Sequence, residues 1–159
     1  MEIPITIRQV TLSDLDEILA VEESNFSSEE ALNRQSLEES IRKTADTFLV
    51  ARDENQIVGY ILGAKSSGTH TQTSVSLEIR HLAIHPDHRG QGLGTLLLAT
   101  LKQVAVEEGV KCLRLTCPDD FLSYFEMNGF VEEEVPEALD ASSSEWNLIW
   151  VNPFYQEEV

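Results

Sequence analysis

Basic residues are scarce in this chain. Eleven Lys and Arg stand against 28 Asp and Glu over 159 residues, a formal charge of −17 at pH 7. Nucleic acid and anionic lipid are therefore poor partners, because Lys and Arg that displace counterions are what hold them, and this surface repels phosphate at long range. A cationic small molecule suits the charge better. Long apolar runs are missing too. None approaches the ~20 residues of a membrane-spanning helix, and the start Met1-Glu2-Ile3-Pro4 lacks the basic and apolar regions of a secretory signal. No membrane association is expected, and the chain reads as cytoplasmic. Cysteine is limited to Cys112 and Cys117. Five apart in one expected strand, they point to opposite faces and cannot bridge each other, so reduced core thiols are expected. Internal repeats, low-complexity tracts and a Pro/Gly/Ser linker long enough to separate domains are all lacking. Residues 1–159 are read as a single domain, large enough to bury roughly 68–70% of its unfolded surface without metal or disulfide.

What is present is a mixed pattern of periodicities. Ile5 and Ile7 alternate with Thr6 and Arg8 in a strand over 3–10, after which Thr11 or Ser13 can cap a helix that carries Leu15, Ile18 and Leu19 inward, with Phe26 following. A second helix is expected from Ser27-Ser28-Glu29-Glu30 to Ile41. Residues 47–52 and 57–64 read as a hairpin about the polar turn Asp53-Glu54-Asn55-Gln56, and 65–73 as a loop. Residues 74–84 form a strand whose apolar positions are odd at Val75, Leu77 and Ile79 and even at Leu82 and Ile84. An extra residue near Arg80 or His81, a β-bulge, would produce that switch, and so would burial of both faces.

After Pro86 comes a glycine-rich turn. A helix follows over 92–108, with Leu93, Leu97, Leu101 and Val104 at helical spacing and Gly109 as its stop. Further on come a strand over 111–117, a short helix capped by Asp119 or Asp120, a strand over 130–135, a loop over 137–145, and a last strand over 146–151 with Trp146, Leu148 and Trp150 on one side. The order is α+β with one strand–turn–helix unit, not a doubly wound nucleotide fold.

That unit carries Arg89-Gly90-Gln91-Gly92-Leu93-Gly94-Thr95. Glycines there let the backbone turn tightly and aim N–H groups at an anion, and the helix dipole favours negative charge at that end. The segment suits phosphate, although such glycines can also serve a turn alone. It lacks the Lys-Ser/Thr ending of an NTPase loop and the second unit of a dinucleotide fold, which disfavours ATP and NAD. His81, His85 and His88 could be read as a metal cluster, but His85 and His88 flank Pro86 at a turn and His81 alone is in regular strand, so surface or packing roles are expected. No metal is expected. Glu22, Glu23, Glu29 and Glu30 could form a wall that attracts an ammonium substrate, or be merely a solvated helix face. Trp146 and Trp150 read as core or dimer packing, which leaves a homodimer open.

Leu82-Ala83-Ile84-His85-Pro86-x-x-Arg89-Gly90-Gln91-Gly92-Leu93-Gly94 resembles the acetyl-CoA signature of the GCN5-related N-acetyltransferase (GNAT) family, and Phe125-Glu126-Met127-Asn128-Gly129-Phe130 resembles its Tyr-Glu-x-x-Gly-Phe segment. Nearly the whole chain follows the order that this family requires. Glu22-x-x-x-Phe26-x-x-Glu29-x-Ala31 and Cys117-x-Asp119 are similar to the arylalkylamine branch. The resemblance implies an acyl-CoA N-acyltransferase fold: a mostly antiparallel sheet of six to seven strands, its central strand bulged and splayed, with about four helices. It implies transfer of acetyl from acetyl-CoA to the primary amine of a small molecule, an arylalkylamine or polyamine. A protein N-terminus, or a non-catalytic acyl-CoA sensor, is the alternative.

Roles follow by position. Backbone groups of Leu82, Ala83 and Ile84 would run beside the pantetheine arm, and Arg89, Gly90, Gln91, Gly92, Leu93, Gly94 and Thr95 would wrap the pyrophosphate. Glu78, which shares a strand side with Ser76 and Arg80, sits where many relatives place a base acting through water; the alternative is a solvated Glu78 paired with Arg80. In the arylalkylamine branch, Glu78 and Arg80 replace two histidines. Phe125 lines the cofactor site at the position of the tyrosine that protonates the leaving thiolate, and Tyr124, one residue earlier and rotated by ~100°, is the neighbouring candidate acid. A thiol with pKa of about 8.5 leaves as its anion without help, so a slow enzyme is expected.

Overall fold

The structure, a computed structural model, describes residues 5–25, 33–66, 75–133 and 145–156. Among these residues, seven strands are β1 (Thr6–Gln9), β2 (Phe48–Arg52), β3 (Ile57–Ser66), β4 (Ser76–Ile84), β5 (Cys112–Pro118), β6 (Val131–Glu132) and β7 (Glu145–Val151). Four helices are α1 (Leu15–Asn25), α2 (Arg34–Thr44), α3 (Leu93–Glu108) and α4 (Leu122–Met127). The sheet is mixed, in the order β1-β2-β3-β4-β5-β7-β6. Antiparallel pairs predominate, and β4 with β5 is parallel. Two compact units make up the chain: Met1–Ala64 with Arg80–Gln103, and Lys65–Ile79 with Val104–Val159.

In the first unit, β1 pairs with β2 and β2 with β3. Thr11 caps the turn into α1. Its N–H and hydroxyl both donate to Oδ2 of Asp14, at 2.8 and 3.1 Å, and Arg8 closes on the same carboxylate with two bonds of 2.7 and 2.8 Å. That pairing is what lets Asp14 sit buried. Ile18 and Val21 of α1 and Leu37 and Ile41 of α2 pack into a core with Phe48, Val50, Tyr60 and Leu62 of the hairpin. Asn33 caps α2, its side-chain oxygen accepting from the Ser36 N–H at 2.8 Å. The expected helix start at 27–30 lies outside the described residues.

The predicted loop over 65–73 begins later than expected, because β3 continues through Ser66; 67–73 lie outside the described residues. The structure records a register irregularity at Ala51/Arg52. In strand β4, Leu77, Ile79 and Ala83 are buried, His81, Leu82 and Ile84 are half-buried, and pairing with β5 covers Ser76–Glu78.

In the second unit, Ser76–Glu78 run parallel to Cys112–Arg114. Strand β5 is paired along its length with β7, Leu113 facing Trp150 and Leu115 facing Leu148. Cys112 and Cys117 are free and buried, and burial pushes both thiols up from their ordinary pKa. Strand β6 is Val131–Glu132, with Phe130 buried just before it, and 134–135 of the expected strand lie outside the described residues. Trp146 is half-buried and its indole N–H donates to Asp119 at 3.0 Å. Among the described residues, no helix is long and apolar enough to cross a membrane.

Candidate functional site

In the first unit, β4 delivers Leu82, Ala83 and Ile84 to a turn that three polar contacts fix in place. The His85 N–H donates to the Val58 carbonyl at 2.7 Å, which ties the strand's end to β3. Gly59 makes that approach possible, since a Cβ there would lie 2.8 Å from Ile84 Cδ1 and 3.0 Å from the Ala83 carbonyl oxygen. His85 Nδ1 then accepts the Asp87 N–H at 3.1 Å. His88 Nε2 lies 3.6 Å from an oxygen of Asp53, whose carboxylate is itself held by the N–H groups of Asn55 and Gln56 and kept below its ordinary pKa by them. Histidines near this motif thus brace a turn. Among the described residues, no group of three or more His, Cys, Asp or Glu could hold a metal.

The glycine loop follows. Gly90 and Gly92 both have φ of +79°, and no atom lies within 4 Å of where a Cβ would sit on either. Glycine is required there by conformation, not by crowding, and the space beside it is open. The Leu96 N–H reaches the Gly92 carbonyl at 3.0 Å, which starts α3, and the N–H groups of a helix's first turn have no acceptor within the helix. In a chain rich in carboxylates, the first turn of α3 has none. Arg89 is held on Asn25 at the end of α1, and Asn25 is oriented in turn by its own donation to the Val21 carbonyl at 2.9 Å. Open glycine backbone, a carboxylate-free helix start and an exposed guanidinium fit a pyrophosphate at Arg89–Thr95. Buried Leu93, Leu97, Leu98 and Leu101 anchor the helix that presents it.

A cavity of about 360 Å³ also belongs to the first unit. Ser36, Glu39, Ser40 and Lys43 of α2 line it, together with Leu62 of β3 and Arg80 of β4. Elsewhere in the unit, Glu22 is fully buried with Oε1 3.0 Å from His81 Nδ1. This corrects the reading of Glu22 as part of a solvated helix face. Glu23 is exposed, and Phe26, Glu29, Glu30 and Ala31 lie outside the described residues.

The second unit holds the other candidates. Glu78 is exposed and in register with Arg114, whose guanidinium is committed to Glu133 by bonds of 2.9, 3.1 and 3.0 Å. Among the described residues, no ion pair joins Glu78 to Arg80. Tyr124 and Phe125 are half-buried on α4. Phe125 meets Phe130 edge-on with ring centroids 5.9 Å apart, and Tyr124 meets Phe125 at 5.2 Å. Gly129, at φ +92°, turns the chain so that the Phe130 N–H returns to the Phe125 carbonyl at 3.0 Å.

Sequence reasoning missed the Asn25–Arg89 and Glu22–His81 contacts, and it missed the convergence of Lys43 with Arg80. One signal for the last was available: Ser36, Ser40 and Lys43 recur at helical spacing as a polar stripe beside the apolar pair Leu37 and Ile41.

Residues 12–130 match the acetyltransferase (GNAT) family. An acetyltransferase of Photorhabdus laumondii is 29% identical over 84 residues, which are 53% of this chain and 54% of that protein. The matched segment spans about half the length of that relative. The PaiA N-acetyltransferase of Thermoplasma acidophilum, solved in complex with coenzyme A, is 18% identical with a TM-score of 0.72 over 93% of this chain and 99% of that one. The ribosomal-protein-S18-alanine N-acetyltransferase of Escherichia coli is 16% identical with a TM-score of 0.69, covering 98% and 97%. These two likenesses are of fold. The family match covers most of the chain and contains β4, the glycine loop and the start of α3 as one continuous run: the chain belongs to the acetyltransferase (GNAT) family.

Proposed function

We propose that this protein transfers the acetyl group of acetyl-CoA to the primary amine of a small molecule, by direct attack within a ternary complex. The observation that carries the reading is the open, carboxylate-free helix start behind Gly90 and Gly92. Arg89 to Thr95 hold the pyrophosphate, and Leu82, Ala83 and Ile84 offer backbone groups to the pantetheine arm. The solved PaiA relative binds coenzyme A within the same fold, which supports this assignment.

The chemistry asks little of the chain. The acceptor nitrogen attacks the thioester carbonyl, a C–N bond forms, the C–S bond breaks, and the thiol departs. An ammonium with pKa near 10.4 must first lose a proton, and the exposed carboxylate of Glu78 takes it through water. Tyr124 is the residue nearest in sequence to the position from which an acid would protonate the thiolate. Backbone N–H groups facing the carbonyl oxygen would stabilise its developing charge, a contribution on the order of 10²–10³ in rate per donor.

Free-thiol release from acetyl-CoA in the presence of an amine panel is the test. Amine-dependent release is expected, and its absence with every amine would overturn the reading. Glu78→Gln is expected to lower kcat most at acidic and neutral pH, and to approach the parent enzyme near the acceptor's own pKa, where the amine is already neutral. A pH–rate profile unchanged by that substitution would remove Glu78 from the mechanism.

A further inference from the structure

We propose that the cavity between α2 and Arg80 is a subsite for an anionic group on the acceptor, which makes the natural acceptor an amine that also carries a carboxylate; this rests on the acetyltransferase reading above. The argument begins with where positive charge is spent. The chain has 11 Lys and Arg. Arg8, Arg34, Arg42, Arg52, Lys65 and Arg114 are each ion-paired with a carboxylate. Arg89 is held by Asn25, and Lys102 and Lys111 have contacts of their own. Among the described residues, that leaves Lys43 and Arg80 without a hydrogen-bonding or charged partner, and both line the same cavity.

In a molecule with 28 carboxylates, two unspent cations lining one cavity are a local reversal of sign. The cavity contributes one carboxylate, Glu39, and sits near the C-terminal end of α2, which adds roughly half a negative charge. Two cations still outweigh both. Helix-dipole stabilisation accounts for Lys43 in the last turn of α2, but not for Arg80, which comes from a strand and faces the same space. The remaining lining suits an anion as well. Ser36 and Ser40 carry hydroxyl donors at helical spacing, and a guanidinium offers a planar carboxylate two parallel bonds. The second ammonium of a polyamine would meet repulsion at this subsite, and the neutral end of a simple arylalkylamine would leave both cations without a counter-charge. Arg80 follows Glu78 by two residues in the strand that leads to the cofactor loop.

Two acceptor series that keep the side chain and vary the carboxylate provide the test, with kcat/KM referred to the concentration of neutral amine: phenylalanine, phenylalaninamide and phenylethylamine, and lysine, lysinamide and cadaverine. Turnover is read by thiol release, and binding by titration calorimetry of the full chain with coenzyme A present. In at least one series the carboxylate-bearing member is expected to have the highest kcat/KM, by about tenfold or more. Arg80→Gln is expected to erase that preference through KM, with acetyl-CoA affinity unchanged, and Arg80→Lys to restore some of it. Turnover that favours the decarboxylated amines, or a preference that Arg80→Gln and Lys43→Gln leave intact, would overturn the subsite while the enzyme stands. Carboxylate binding that depends on Arg80, without thiol release for any amine, would keep the subsite and overturn the transferase. Absence of both binding and release would overturn both.

Discussion

At Gly92 the chain depends on one backbone angle. A side chain would strike nothing, yet φ of +79° is a conformation that costs an L-residue about 1–2 kcal/mol. Gly92→Ala therefore relaxes the loop out of its open shape. Acetyl-CoA affinity is expected to fall by about tenfold, the equivalent of 1.4 kcal/mol, with thermal stability changed by no more than that cost. An affinity equal to that of the parent protein would show that the loop geometry is not what binds. Asp14 carries a different kind of dependence. Arg8 chiefly, and then the Thr11 N–H, hold its carboxyl below the usual 3.8. A pKa depressed by folding contributes stability that is present above the unfolded value and is lost as pH falls through the folded one. Hydrogen bonds to a charged group contribute about 1.5–3 kcal/mol, so Asp14→Asn should destabilise by that order at neutral pH. The gap between the two proteins should narrow as pH drops below about 4. A gap that stays constant down to pH 2 would mean that the Asn variant loses packing and not a charge.

Among the elements, the close passage of β3 against β4 is the feature on which the cofactor strand depends. Gly59→Ala would place a methyl group 3.0 Å from the Ala83 carbonyl oxygen and 2.8 Å from Ile84 Cδ1. Backbone must move, an overpacking cost of about 1–3 kcal/mol, and it moves in the segment proposed to lie beside pantetheine. A lowered melting temperature and a raised KM for acetyl-CoA are expected together, and a raised melting temperature would show that the strands have room. Elements of this kind were legible in sequence where a local rule governs them. The Asp53 turn, the Thr11 cap, the leucine stripe of α3 and the glycine loop all depend on residues within a few positions of one another, so pattern and propensity suffice. Parity along β4 was legible only in part, because Leu82 and Ile84 are half-buried and alternation records hydrophobicity, not burial. The cavity was not legible for a different reason. Lys43 and Arg80 lie on a helix and a strand far apart in sequence, and only the fold brings them together.

Charge acts on the whole molecule in a way that no single contact reveals. Acetyl-CoA is a polyanion, and the chain it must approach carries −17. Two ranges of interaction then compete. Arg89 and the start of α3 attract phosphate over the first few ångströms, whereas the remaining carboxylates repel it from every direction within the screening length. That length is about 30 Å at 0.01 M salt and about 8 Å at 0.15 M. At low salt the ligand feels most of the molecule's charge; near physiological salt it feels little beyond the loop. Added salt should therefore speed acetyl-CoA association, the reverse of what a basic cofactor site shows, with a rise of at least about twofold across that range. The dissociation rate, set by the contacts at Gly90 to Thr95, should change less. Stopped-flow binding at a series of salt concentrations separates the two, and an association rate that falls with salt would mean that the local field of Arg89 and the helix start already outweighs the rest of the molecule at a distance.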